Sequence, residues 1–205
     1  MLKKAALASS VVLAAGAGVS AAQWEIDRAH SSIGFSVRHM VVSKVPGKFT
    51  DFDGNLEMAQ AADGKLDLAS AKVSMTAKAA SINTDNDKRD EHLRSADFFD
   101  AATYPELTFV SKKVIPGEGD KFKLIGDLTI RGVTKEVTFD GTLNGVVTDF
   151  MGNTRAGFSA AATINRQDFG VSWSKLLDNG GLVAGDNVDI IIEIEAVLPK
   201  PESKG

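Results

Sequence analysis

The stretch Lys121–Val147, "KFKLIGDLTIRGVTKEVTFDGTLNGVV", decides the fold. In its first half Phe122, Leu124, Leu128 and Ile130 share one face. In its second half Val137, Phe139 and Leu143 do the same, with Glu136, Thr138 and Asp140 opposite. Alternation at period two is the signature of a half-buried strand. The "RGVT" between the halves carries Gly132, which can supply the positive φ of a hairpin turn.

The same pattern continues on both sides. "SIGFSVRHM" puts Ile33, Phe35, Val37 and His39 on one face. "KFTDFDGNLEM" reads as a strand with a bend or bulge near Gly54. "SAKVSMTAK" turns Ala71, Val73, Met75 and Ala77 inward, and "ELTFVSKKV" follows. "RAGFSAAATI" aligns Phe158, Ala160, Ala162 and Ile164, and "NVDIIIEIEAVL" aligns Val188, Ile190, Ile192, Ile194 and Ala196. Eight strands with one apolar and one polar face predict an all-β, antiparallel protein. They can close into a barrel or pack as a sandwich. Small inward residues (Ala71, Ala77, Ala160, Ala162 and Gly126) favour an eight-stranded barrel with room for a ligand. The same residues could instead oppose bulky partners across a solid core.

The 205 residues suffice for one domain with a sizeable core and no cysteine. Residues 1–22 read as a secretory leader. Lys3 and Lys4 precede the acid-free apolar run Ala5–Val19, and small residues allow cleavage after Ala21 or Ala22. The run falls short of the ~20 residues of a membrane span. The expected organisation is therefore a leader at 1–22, one domain at 23–199 and a tail at 200–205, with a periplasmic location. Without the leader the chain holds 21 basic and 27 acidic side chains, a net charge of −6. That balance argues against nucleic acid as a partner. A membrane barrel is also disfavoured. The polar strand faces are charged, and one Tyr and two Trp cannot make aromatic girdles.

Two segments are not strands. "RDEHLRSADFFDAATYPELTF", Arg89–Phe109, opens as a short helix capped by Asn86 or Asp87, with Leu93, Phe98 and Phe99 as its apolar side. "NRQDFGVSWSKLLDNGGLVAG", Asn165–Gly185, is a long connection rich in apolar residues. Phe169, Val171, Trp173, Leu176, Leu177, Leu182 and Val183 must bury against something, and a barrel mouth is the obvious place.

These segments also carry a resemblance. "DEHLRSADFFDAATYPELTF", "GDLTIRGVTKEVTF", "RAGFSA", "FSVRHM" with "GKFTDFDG", and "NRQDFG" before the last strand are similar to the YceI-like proteins, in the family's order over roughly Gln23 to Pro199. The resemblance implies a lipocalin-like barrel with a short helix and a long capping loop. It implies a periplasmic binding protein for a polyisoprenoid, an isoprenoid quinone or a fatty-acid-like amphiphile, with no catalytic residues and no cofactor beyond such a lipid. On that reading Phe35, Val37, Val73, Met75, Phe122, Phe139, Phe158, Ala160, Ala162 and Ile164 line the interior. Phe98, Phe99, Phe169 and Trp173 stand at the mouth. His39 is a candidate head-group contact, and Arg38, Arg94 and Arg155 could pair with a phosphate head, Arg94 first among them because it lies in the signature helix. An enzyme acting on a small amphiphile through His39 or His92, and a ligand-free stress or interaction protein, are the competing readings. His30, His39 and His92 lack metal-site spacing. The outward Ile191 leaves room for a homodimer surface.

Overall fold

The Lys121–Val147 hairpin forms as β8 (Lys121–Ile130) and β9 (Val133–Thr148). Arg131 (φ 51°) and Gly132 (φ 73°) connect the paired residues Ile130 and Val133. Two consecutive positive φ values make this a type I′ turn, whose twist matches that of the strands. The computed structural model describes residues 21–40, 42–175 and 183–200. The expected leader (residues 1–20 of it), Leu176, Leu177 and Leu182, and tail residues 201–205 lie outside the described residues.

The remaining strands are β1 (Ala21–Ile26), β2 (Ser32–His39), β3 (Ser43–Phe49), β4 (Phe52–Gln60), β5 (Leu66–Lys78), β6 (Ile82–Asn83), β7 (Glu106–Pro116), β10 (Thr154–Asn165) and β11 (Ala184–Leu198). They close into an antiparallel barrel of eight ladder positions because three positions are bent strands. Along one side of β11, β2 pairs with its first part and β1 with Ala196 and Val197. The β3–β4 pair lies across from them, and β5 with β6 comes next. From β7 to β11 each strand simply pairs with the next.

β1 completes the closure and begins at Ala21, two residues inside the expected leader. The bend in the second position falls at Thr50 and Asp51, between β3 and β4. Gly54 is in ladder register with Met75, and it is small because the Met75 side chain lies over it. Among the described residues, no helix is long and apolar enough to cross a membrane.

One end of the barrel is plugged. Trp24 is fully buried among Leu56, Met58, Leu66, Ala156 and Ala196, and its Nε1–H donates to the Met58 carbonyl at 3.2 Å. An indole this deep needs such a partner for its one donor. At the opposite end sit α1 (Asp87–Arg94), the segment after it, and the connection after β10. Asn86 caps α1, its Oδ1 accepting from Arg89 N at 3.0 Å. The helix stops at Arg94, so Phe98 and Phe99 belong to the following turn, not to its apolar side as the sequence had suggested.

The small inward residues divide into two kinds. Gly47, Gly126 and Gly141 are glycines because the rings of Phe35, Phe109 and Phe122 lie across them, and a Cβ would overlap each ring. Gly126 thus gives no free space, contrary to the expectation from its size. Ala71, Ala77 and Ala160, by contrast, border a cavity. Ala162 packs against the core and is off the cavity wall. Ile191 is exposed on the outer face of β11.

Candidate functional site

The cavity occupies the barrel interior with a volume of about 440 Å³. It runs from Leu56 and Met58, above the Trp24 plug, to Trp173 and Val183 at the other end. Alternation places its wall. Phe35 and Val37 come from β2, Val73 and Met75 from β5, Phe122 from β8, Phe139 from β9, and Phe158 and Ile164 from β10. The wall is almost wholly carbon, and its rings meet edge-on or tilted: Phe109 with Phe139 at 5.3 Å, and Phe122 with Phe158 at 6.4 Å.

The exposed lining residues are Arg38, His39 and Arg89, all at the end that carries α1. That end is the mouth. His39, at the close of β2, stands on its rim. Phe98, Phe99, Phe169 and Trp173 also line this end.

Helical phase decides which charged residues reach the cavity. Leu93 packs against the core, and Arg89, four residues before it, shares its face. Arg89 lines the cavity, and so does His92, three residues after Arg89. Arg94 does not. Its Nε and Nη2 donate to the carbonyls of Ala80 and Ile82 at 2.8 and 2.9 Å, tying α1 to the β5–β6 bend. Of the helix's arginines it is therefore Arg89, and not the Arg94 singled out in the sequence, that lines the cavity.

Three rings meet at the mouth. His92 stands edge-on to Phe98 and to Trp173, both at 5.0 Å, and Phe98 and Trp173 are 5.1 Å apart. His92 Nε2 lies 2.8 Å from Asp97 Oδ2, which fixes the imidazole. The cluster joins α1, the following turn and the segment after β10.

Arg166 holds that last segment. It opens a 3-10 turn, Arg166–Phe169, capped by Asn165 and ended by Gly170 at φ 72°. Its buried guanidinium donates to the carbonyls of Gly185, Val171, Trp173 and Ala184 and to Asp186 Oδ1. Burial lowers its pKa, and the Asp186 carboxylate opposes that shift. Sequence reading missed this residue, although an arginine at the start of a connection rich in apolar residues was the available signal.

The histidines do not converge. His30 joins Asp27 and Glu195 at the seam between β1 and β11, in a geometry that three metal ligands could share. Arg155 Nη1 already donates to Asp27 Oδ2 at 2.9 Å and to Glu195 Oε1 at 2.5 Å, while Nε reaches Asp149 Oδ2 at 2.9 Å. The His30 hydrogen bond and Arg155 hold Asp27 down at about 2, and Arg155 holds Asp149 at about 2. The Asp27 carboxylate raises the pKa of His30. This network stitches the seam.

The YceI-like domain model matches residues 24–196. A UPF0312 protein of Staphylococcus aureus (strain MSSA476) is 40% identical over 164 residues, covering 79% of this chain and 90% of the relative. The Campylobacter jejuni YCEI crystal structure superposes with a TM-score of 0.65 at 33% identity, over 85% of this chain and 96% of that one. A polyisoprenoid binding domain from Saccharophagus degradans, implicated in plant cell wall breakdown, has a TM-score of 0.56 at 14% identity, covering 87% and 99%. At that identity the last likeness concerns the fold alone. The match spans the strands, the helix and the mouth segment alike, and the chain belongs to the YceI-like family.

Proposed function

We propose that this protein is a periplasmic binding protein that holds the chain of a polyisoprenoid or related amphiphilic lipid inside its barrel, for transport, storage or stress protection. One observation carries the reading: a cavity of about 440 Å³, walled by carbon, plugged by Trp24 at one end and rimmed by charged residues at the other. Its volume falls within the ~300–1,000 Å³ of small-molecule sites. A guest of about 15 carbons, or three isoprene units, serves as the reference size. At about 0.8 kcal/mol per CH₂, burying them yields on the order of 12 kcal/mol before the costs of ordering the chain and its partner. The remainder allows micromolar affinity without any polar contact. A domain of Saccharophagus degradans that shares this fold is named as polyisoprenoid-binding, and the guest proposed here is of that class. The apolar leader-like run Ala5–Val19 supports the compartment.

The reading assigns binding, not turnover. Native mass spectrometry of protein purified from its own host tests it. A co-purifying amphiphile in about one-to-one ratio is expected. Protein that carries no such molecule, and takes up no isoprenoid probe after delipidation, would overturn it.

A further inference from the structure

We propose that the plugged end of the barrel faces a membrane, with Phe150 and Met151 entering the interface of a lipid bilayer from the β9–β10 turn. The turn is tightly built. Asp149 N donates to the Asn153 carbonyl at 2.9 Å and Gly152 N to the Asp149 carbonyl at 3.0 Å. Asp149 Oδ1 accepts from Met151 N and Asn153 N, at 2.9 Å each. Gly152 takes the positive φ, 88°, that closes a three-residue hairpin loop. Arg155 holds Asp149 in place. On this fixed base two large apolar side chains stand in solvent, Phe150 100% exposed and Met151 67%, with the exposed Val147 just before them. Turns ordinarily carry Gly, Pro, Asn, Asp or Ser, so Phe and Met at the tip call for another reason.

The place where the chain enters the barrel says what the tip meets. The β9–β10 turn lies at the plugged end, where Thr154 pairs with Leu198 at the close of β11. β1 begins at the same end, with Ala21 paired to Ala59 near the close of β4. The leader-like apolar run Ala5–Val19 stops two residues before Ala21. Two peptide steps reach no more than about 7 Å. A bilayer that takes up this run therefore lies against the plugged end, and the mouth points away from it.

Size also selects a bilayer over a protein partner. A stable protein interface takes about 800 Å² from each side. An aromatic side chain buries about 150–250 Å², so a tip of one Phe, one Met and one Val falls well short. An apolar knob enters the head-group boundary of a bilayer without needing a matching groove. Charge does not decide the matter. The neighbouring turns of this end mix exposed Lys65 with Asp63, and Lys121 with Glu118 and Asp120. A single acyl chain gives only a marginal, reversible hold on a membrane, and two side chains give less. Without the apolar run the contact is therefore transient, and it orients the barrel rather than anchoring it. At the mouth, Val42 in the β2–β3 turn is 83% exposed and serves as the control.

Flotation with phosphatidylcholine vesicles at millimolar lipid tests the proposal, on protein purified from its own host and delipidated. Wild type is expected to float in part. Phe150→Ser and Met151→Ser should each lower the partition coefficient threefold or more, and the double variant tenfold. Val42→Ser should float like wild type. Melting temperature and farnesol uptake should be unchanged in all of them, because none of the three residues lines the cavity. Wild type that does not float overturns the proposal, and so does a double variant that floats as well as wild type. Flotation lost in Val42→Ser but kept in the tip variants puts the mouth on the membrane and overturns it. A dimer in sedimentation that the double variant dissolves, with no flotation, assigns the tip to a second copy and overturns it. Tip variants that lose farnesol uptake together with flotation give the tip a structural role and overturn it. Farnesol uptake by wild type, measured separately, keeps failure of the lipid-binding reading distinct from failure of this one.

Discussion

Gly126 and Ala160 are both small and inward, yet they do opposite things. Gly126 is occupied from two sides, by the Val110 carbonyl and by the Phe109 ring. Gly126→Val is expected to cost about 1–3 kcal/mol, because a main-chain oxygen cannot step aside as a flexible side chain can. Chemical denaturation will show this as a lower midpoint with an unchanged slope. Ala160 borders open volume, so a larger side chain there meets space before it meets atoms. Residue size in the sequence could not separate these cases. The difference lies in the ring from the neighbouring strand, and only the ladder register reveals which glycine faces which Phe.

At the scale of elements, the seam and the mouth segment each depend on one arginine. Arg155 joins β10 to Asp27 beside β1, Glu195 on β11 and Asp149 at the β9–β10 hairpin. Asp27 and Asp149 titrate near 2 in the folded chain and near 3.8 without these partners. A lowered carboxylate pKa stabilises above the unfolded value and loses that contribution as pH falls through the folded one. Stability should therefore drop between about pH 5 and pH 2, and Arg155→Met should flatten that decline in acid-titrated thermal melts. His30 has the opposite sign. Its raised pKa contributes most below about 6.5 and fades as pH rises through the folded value.

Arg166 acts on the other end. Arg166→Met removes the side-chain donor from four carbonyls and one of the two donors to Asp186 Oδ1, the other being Gln167 Nε2. Leaving buried acceptors without their donor costs about 1–3 kcal/mol, and the partly exposed Asp186 adds little to it. Hydrogen exchange should accelerate first at Val171, Trp173 and Ala184, with the β8–β9 ladder unaffected if the protein stays folded.

The elements themselves were largely legible. Strict alternation marked eight strand segments, and Gly132 marked a turn that proved to be type I′. β1 was not legible. Ala21 and Ala22 read as a cleavage site, and Trp24 gains its meaning only from Met58 and Ala196, far along the chain. Arg94 was singled out for its place in the helix, without regard to phase. The structure ties it to Ala80 and Ile82, while Arg89, four residues before the core-facing Leu93, lines the cavity.

For the molecule as a whole, the claim is that this barrel is hollow for a purpose. A closed antiparallel wall, a tryptophan plug and a ringed mouth leave about 440 Å³ lined by carbon. Water gains few hydrogen bonds in such a space, and an apolar chain gains burial. The most direct test is the equilibrium uptake of radiolabelled farnesol by lipid-stripped wild type and by Ala160→Phe, with circular dichroism and melting temperature measured on the same samples. About one molecule bound per wild-type chain, and little or none per well-folded variant, is the predicted result. Equal uptake by the two proteins would contradict the account.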